Sequence, residues 1–270
     1  MREGAPPLAE AIDLFLDDVG IALSPLTRTT YATRLRPLRS LDWPLDCRAL
    51  IRAELDIHAR STVRNFCGVL SVFCKFCVAQ GWLTENPMQG VPFPKAPTRP
   101  HRYLPKPALE ALWAVSERFD ARTHRGPHGV SFRLLLALLS VGLRVSEACS
   151  VRVEDIDDGL LLVRGKGSKY RYVPLPRSAV PLLPESGVIL PVKPRRVQHM
   201  IDQLAAEAGI GKIHPHLLRH SFASNALLDG AGLGELQAVL GHADQRMTQF
   251  YARSVLQKSA AKAMARFTDG

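Results

Sequence analysis

The sequence predicts a mainly α-helical protein of two domains, with a small β-sheet or hairpin in the C-terminal one. Three observations carry this. Residues from about 6 to 90 have helical apolar spacing. A proline-rich stretch without periodicity, "NPMQGVPFPKAPTRPHRYLPKP" (86–107), then interrupts the chain. Finally, "GLLLVRGKGSKYRYVPLP" (159–176) reads as strand, Gly/Ser-rich turn and strand. The expected division is a helical domain over 1–92, a linker over 93–105 and a second domain over 106–270.

Taken in order, "PPLAEAIDLFLDDVG" predicts a first helix ending at Gly20. Ser24-Pro25 supplies an N-cap and a first-turn proline for the next helix, "LTRTTYATRLRPLRSL". A long helix begins near Ser61 and stops at Gly81. After the linker come the helix "ALEALWAVSERF", an apolar core helix up to Gly142, the hairpin, and a helical pattern from Pro194 onward.

Composition narrows the function classes. The chain has 270 residues, 46% hydrophobic, and a formal net charge of +10. No uninterrupted apolar run reaches the roughly 18 residues that span a bilayer. The N-terminus lacks an apolar signal region, so a cytoplasmic protein without a membrane partner is expected. Residues 1–98 hold 11 Lys and Arg against 10 Asp and Glu, whereas the remainder holds 24 against 15. Such a basic C-terminal part suits a polyanionic partner, because neutralising phosphates releases condensed counterions. The five cysteines (Cys47, Cys67, Cys74, Cys77, Cys149) are odd in number, and Cys67, Cys74 and Cys77 share an apolar helix face with Phe66, Leu70 and Phe73. They read as small buried hydrophobes, with a metal or redox pair at "CKFC" as the alternative.

"HPHLLRHSFASNALL" (214–228) carries the chemistry question. His216 and His220 stand four apart, the spacing of two zinc ligands, yet Leu217 breaks the H-E-x-x-H pattern and Arg219 would set a positive charge beside the metal. A guanidinium fork fits a phosphate better. A second candidate, Arg144, follows Gly142 at the end of the apolar helix, with Glu147 in reach to pair with it. Glycines flank Lys166 at the hairpin tip and free the backbone for close approach to a ligand. In "VLGHADQRMTQFYARS", Tyr251 follows His242 by nine residues. A phenol with a pKa near 10 needs neighbouring cations or a base to act as a nucleophile, and the arginines and histidines can supply them.

Together, GLRVSE, GKGSK, HLLRH and LGH followed by tyrosine resemble the tyrosine recombinase (phage integrase) family, in order and in spacing, and the resemblance covers essentially the whole chain. It implies a site-specific, Xer-like recombinase that closes on duplex DNA as a C-shaped clamp, with Arg144 and Arg219 clamping the scissile phosphate. It further implies His216 as the residue that accepts or steers the tyrosine proton, His242 as a second hydrogen-bonding position, Lys166 as general acid and Tyr251 as nucleophile. Glu147 and His220 would support these from behind. Arg28, Arg34, Arg36, Arg60, Arg64, Lys169 and Arg171 are the expected DNA contacts. The resemblance also implies strand exchange in a tetramer, with a paralogous recombinase or accessory protein as a further partner. No cofactor or metal is expected. Arg253 departs from the histidine that many members carry two residues after the nucleophile. A type IB topoisomerase activity, a silent DNA-binding protein and a zinc protein are the alternatives.

Overall fold

The computed structural model describes residues 4–97, 102–123, 130–165, 169–241 and 245–265. The chain divides into two compact units, Met1–Arg99 and Pro100–Gly270.

The first unit is helical. Helix α1 (Leu8–Ala22) runs through Gly20 instead of ending there, and its last bond is Leu23 N–H to Val19 O. Ser24 caps α2 (Pro25–Leu35) by accepting from Thr27 N–H at 3.3 Å. The single helix expected up to Leu41 is broken. Pro37 lacks an N–H and cannot continue the i to i−4 ladder, so Arg36–Ser40 forms a 3-10 turn. Helix α3 (Cys47–Ile57) was not separately predicted; Asp46 starts it by accepting from the N–H groups of Arg48 and Ala49 at 3.0 and 2.9 Å.

Helix α4 (Arg60–Ala79) is the spine of this unit. By length and composition alone it is long and apolar enough to cross a membrane, although Arg64 and Lys75 interrupt its apolar run. Its apolar face is buried, however, with Val63, Phe66, Leu70 and Phe73 in the core beside Cys67, Cys74 and Cys77. Phe15 of α1 meets Phe73 edge-on at 5.4 Å and stacks on Tyr31 at 5.9 Å. Burial pushes the Cys77 thiol up to about 12, so it is an inert filler at neutral pH.

The second unit surrounds α6 (Phe132–Ser140), seven of whose nine residues are buried. Ser131 caps it, and Asp120 on α5 (Lys106–Thr123) accepts from Ser131 Oγ at 2.6 Å and Phe132 N–H at 2.8 Å, tying α5 to the start of α6. Gly142 turns the chain into α7 (Val145–Ala148). Strands β1 (Ile156–Asp157), β2 (Leu160–Arg164) and β3 (Tyr170–Pro174) form an antiparallel sheet in that order, with Val163 opposite Arg171. Helices α8 (Pro194–Glu207), α9 (Pro215–Leu228), α10 (Leu233–Leu240) and α11 (Gln245–Ala265) follow. Leu104, inside the expected linker, is instead a buried part of this unit: its N–H donates to Ser221 Oγ at 2.8 Å and its carbonyl accepts from Asn225 Nδ2 at 3.2 Å.

Candidate active site

Glu147 organises the site. It lies in the first turn of α7, and its carboxylate is 5% exposed. Oε2 accepts from the backbone N–H of Arg144 at 2.7 Å and from Arg171 Nη2 at 2.8 Å, while Oε1 accepts from Arg144 Nη1 at 2.7 Å and Arg171 Nη1 at 2.9 Å. Arg219 Nη1 is 3.9 Å from Oε2. Burial alone would raise the Glu147 carboxyl, but the bonds from Arg171 and Arg144 outweigh it and hold the group below its ordinary value.

The three guanidiniums also grip the end of α10. Arg171 Nε donates to Val239 O at 2.7 Å, Arg219 Nη2 to Leu240 O at 2.7 Å, and Arg144 Nη2 reaches Gly241 O at 3.5 Å. Those carbonyls close a helix C-terminus, where the backbone dipole favours cations. Arg219 Nη1 donates in addition to Gly142 O. Arg219 is 3% exposed, and burial, reinforced by the like charge of Arg144, lowers it to about 10, so it stays protonated at neutral pH. Arg144 is the accessible member of the group, its side chain 30% exposed.

Helix α9 sorts the three histidines of the "HPHLLRH" stretch into three situations. His214 is a helix cap whose Nδ1 accepts from Leu217 N–H at 3.1 Å. His216 lies at the exposed start of the helix, where crowding by the fold and then the charges of Arg219, His214 and Arg144 lower its imidazole below the ordinary value. His220, one turn on, is hydrogen-bonded through Nδ1 to Tyr251 Oη at 2.6 Å. Tyr251 is 1% exposed and belongs to a small core with Ala223, Leu236 and Leu240. Burial raises its phenol, against the opposing pull of Arg219 and Arg144.

The structure thus brings Arg144, Glu147, Arg219, His220 and Tyr251 together in one unit, and the contact to the tyrosine comes from His220 where His216 was expected. Lys166 and His242 lie outside the described residues. Arg171 was expected to contact DNA, but its side chain is 9% exposed and committed to Glu147 and Val239 O. The sequence held a signal for this: in a strand, Arg171 shares a face with Val173, which is buried. Lys169, Arg36, Arg60 and Arg64 are exposed and Arg34 is half-buried, whereas Arg28 pairs with Asp17 at 2.6 Å and also donates to Leu16 O. Among the described residues, no group of three His, Cys, Asp or Glu side chains is placed to hold a metal.

Comparison with known proteins decides the family. The phage integrase family model matches residues 103–187 and 189–258, more than half of the chain. This chain belongs to the phage integrase family. Its relatives include the tyrosine recombinase XerC of Bacillus subtilis (strain 168), 33% identical over 219 residues that cover 72% of this chain and 70% of the relative. The tyrosine recombinase XerD of Caulobacter vibrioides is 32% identical over 219 residues, covering 71% and 68%. Among solved structures, a lambda integrase tetramer bound to a Holliday junction aligns with a TM-score of 0.73 at 19% identity, covering 92% of this chain and 78% of that one. A lambda integrase dimer bound to a COC′ core site gives 0.72 at 18% identity, covering 90% and 76%. These likenesses establish the shared integrase-family fold.

Proposed function

We propose that this integrase-family protein is a site-specific tyrosine recombinase that cleaves and rejoins duplex DNA, with Tyr251 as its nucleophile. The observation that carries the assignment is the position of Tyr251. It is hydrogen-bonded to His220 one helical turn from His216, in the field of Arg219 and Arg144. Tyr170 and Tyr172, by contrast, project from β3 into solvent at 62% and 53% exposure.

Tyr251 Oη attacks the scissile phosphorus as its proton passes to the neighbouring histidines. The bond to the 5′-oxygen breaks, Lys166 gives that oxygen a proton, and a 3′-phosphotyrosine remains. The bond energy is retained, so a second 5′-hydroxyl can reverse the step and join a different strand. Arg144 and Arg219 offset the charge that builds on the non-bridging oxygens, with His242 as a further donor; one such donor is worth about 3 kcal/mol in comparable oxyanion sites. Because the phenol is buried, α11 must shift relative to α9 and α10 to present it to a phosphate.

Both units contact duplex DNA. Arg34, Arg36, Arg60 and Lys169 are available for backbone or groove contact. Arg64 joins them by giving up a 3.5 Å bond to Pro94 O, and Arg28 by giving up its bond to Leu16 O and its surface pair with Asp17, a pair that is worth little. Self-association into dimers and tetramers on DNA follows the lambda integrase assemblies. The protein works in the cytoplasm at the nucleoid.

The test uses a library of nicked duplexes in which cleavage releases a short fragment and religation fails. Detergent-resistant adducts are collected, their DNA sequenced and the modified residue mapped. An adduct on Tyr251 that is lost in Tyr251→Phe is the expected result. An adduct on another tyrosine overturns the assignment of the nucleophile, and binding without any adduct overturns the recombinase reading.

A further inference from the structure

A third arginine, outside the phosphate-clamping pair, is built into the site. Arg171 donates three hydrogen bonds: Nη1 and Nη2 form a two-pronged fork on Glu147, and Nε reaches Val239 O. The planar guanidinium matches both carboxylate oxygens at once, a geometry that lysine cannot reproduce. Burying a guanidinium this deeply is costly unless it is paired and hydrogen-bonded, as all three of these bonds ensure.

Two glycines make room for it. A Cβ at Gly241 would lie 2.8 Å from Arg171 Cδ, and one at Gly165 would lie 3.3 Å from Arg171 Nη1. Gly165 immediately precedes Lys166 and Gly241 immediately precedes His242. Arg171 therefore stands where the hairpin, the end of α10 and the Arg144–Glu147 turn converge.

The charges explain why three arginines surround one carboxylate. With Arg144 as its sole close partner, Glu147 would neutralise that guanidinium and draw both of its Nη groups into a fork. With Arg171 occupying the same two oxygens, Arg144 keeps, among the described residues, a single side-chain bond to Oε1, and its Nη2 makes only the 3.5 Å contact with Gly241 O. That is a weak bond, readily exchanged for a phosphate oxygen. We propose that Arg171 is a positioning residue: by sharing Glu147 it leaves the charge and the outer Nη of Arg144 available to the scissile phosphate. The proposal rests on the recombinase reading above.

The nicked duplex recovered in the adduct selection is made in two forms. One has an ordinary scissile phosphate and the other a methylphosphonate there, which is uncharged and needs less cationic stabilisation. Single-turnover adduct formation and the Kd of each duplex are measured for the wild type, Arg171→Gln, Glu147→Gln and the double variant. Arg171→Gln is expected to slow cleavage of the ordinary duplex about 100-fold, the scale of losing one preorganised donor. On the methylphosphonate the loss should be under about 10-fold, with Kd nearly unchanged. Because Arg171 acts through Glu147, the double variant should be no slower than Glu147→Gln alone. Glu147→Gln leaves Arg171 its bond to Val239 O with an amide oxygen in place of the carboxylate, and the double variant removes both charges of the pair, so the comparison serves even if Arg171→Gln fails to fold.

Equal losses on the two duplexes, no loss on the ordinary one, or a double variant slowed by the product of both single losses would each overturn the proposal. A wild type that forms no adduct at all overturns the recombinase reading and this inference with it. A reactive wild type with an equally reactive Arg171→Gln overturns this inference alone.

Discussion

His220 Nδ1 and Tyr251 Oη lie 2.6 Å apart across the packing of α9 against α11, and that bond helps hold the phenol inside the protein. Nitration by tetranitromethane needs an accessible phenolate, so Tyr170 and Tyr172 should be modified well before Tyr251. His220→Ala should speed Tyr251 nitration about fivefold, the equivalent of a hydrogen bond worth about 1 kcal/mol. Mass-spectrometric mapping of nitrated peptides against time checks both statements. Equal rates for Tyr251 and Tyr170 in the wild type would show that the phenol is not sequestered.

Acid should destabilise the second unit in two stages. His216 has a folded pKa below its ordinary 6.5, so the native state binds that proton less tightly than the unfolded chain, and stability falls as pH drops below 6.5. Glu147 is held below its ordinary 4.5, so its contribution is complete above 4.5 and is lost as pH falls through the folded value. Thermal unfolding from about pH 8 to about pH 2 should show both losses. His216→Gln should flatten the first and leave the second. An unchanged first loss in that variant would assign it to another group.

Much of this was legible in the residues. The helix start marked by Ser24-Pro25, the strand–turn–strand over 159–176 and the spacing of the arginines, histidines and Tyr251 are local patterns, and local patterns survive into structure. What escaped was set by tertiary packing. Gly20 did not stop α1 because the helix continues in good geometry beside Arg28, whose Cδ would stand 3.3 Å from a Cβ at that glycine. Whether His216 or His220 faces Tyr251 depends on how α9 is rotated against α11, which spacing alone does not fix. Arg171 looked like a surface cation until β3 paired with β2 and turned it onto Glu147.

The segment before α5 is pinned by two α9 side chains, and each should be measurable. Ser221 is fully buried; its Oγ accepts from Leu104 N–H and donates to Leu217 O at 2.7 Å. Ser221→Ala would strand the Leu104 N–H, at a cost of about 1–3 kcal/mol. Urea unfolding followed by a probe in the second unit measures it. A change below about 0.5 kcal/mol, the ordinary range for an inert surface site, would mean that the segment is not anchored there.

Gly142 is where the backbone itself supports the arginines. Its φ is +87°, and a Cβ there would lie 2.7 Å from Leu240 Cδ2 and 2.9 Å from Phe222 Cδ1. Its carbonyl accepts from Arg219, and the carbonyl of Leu240 accepts from the same guanidinium. Gly142→Ala therefore combines left-handed strain of about 1–2 kcal/mol with overpacking of about 1–3 kcal/mol. The displacement of Leu240 also loosens Arg219, so cleavage should slow even where the variant remains folded. Gly159 provides the control: its φ is +72°, but a Cβ there meets nothing within 4 Å. Gly159→Ala should show the strain alone, with cleavage at the wild-type rate. Equal effects of the two substitutions on cleavage would mean that Gly142 matters only as a turn and not as a support for Arg219.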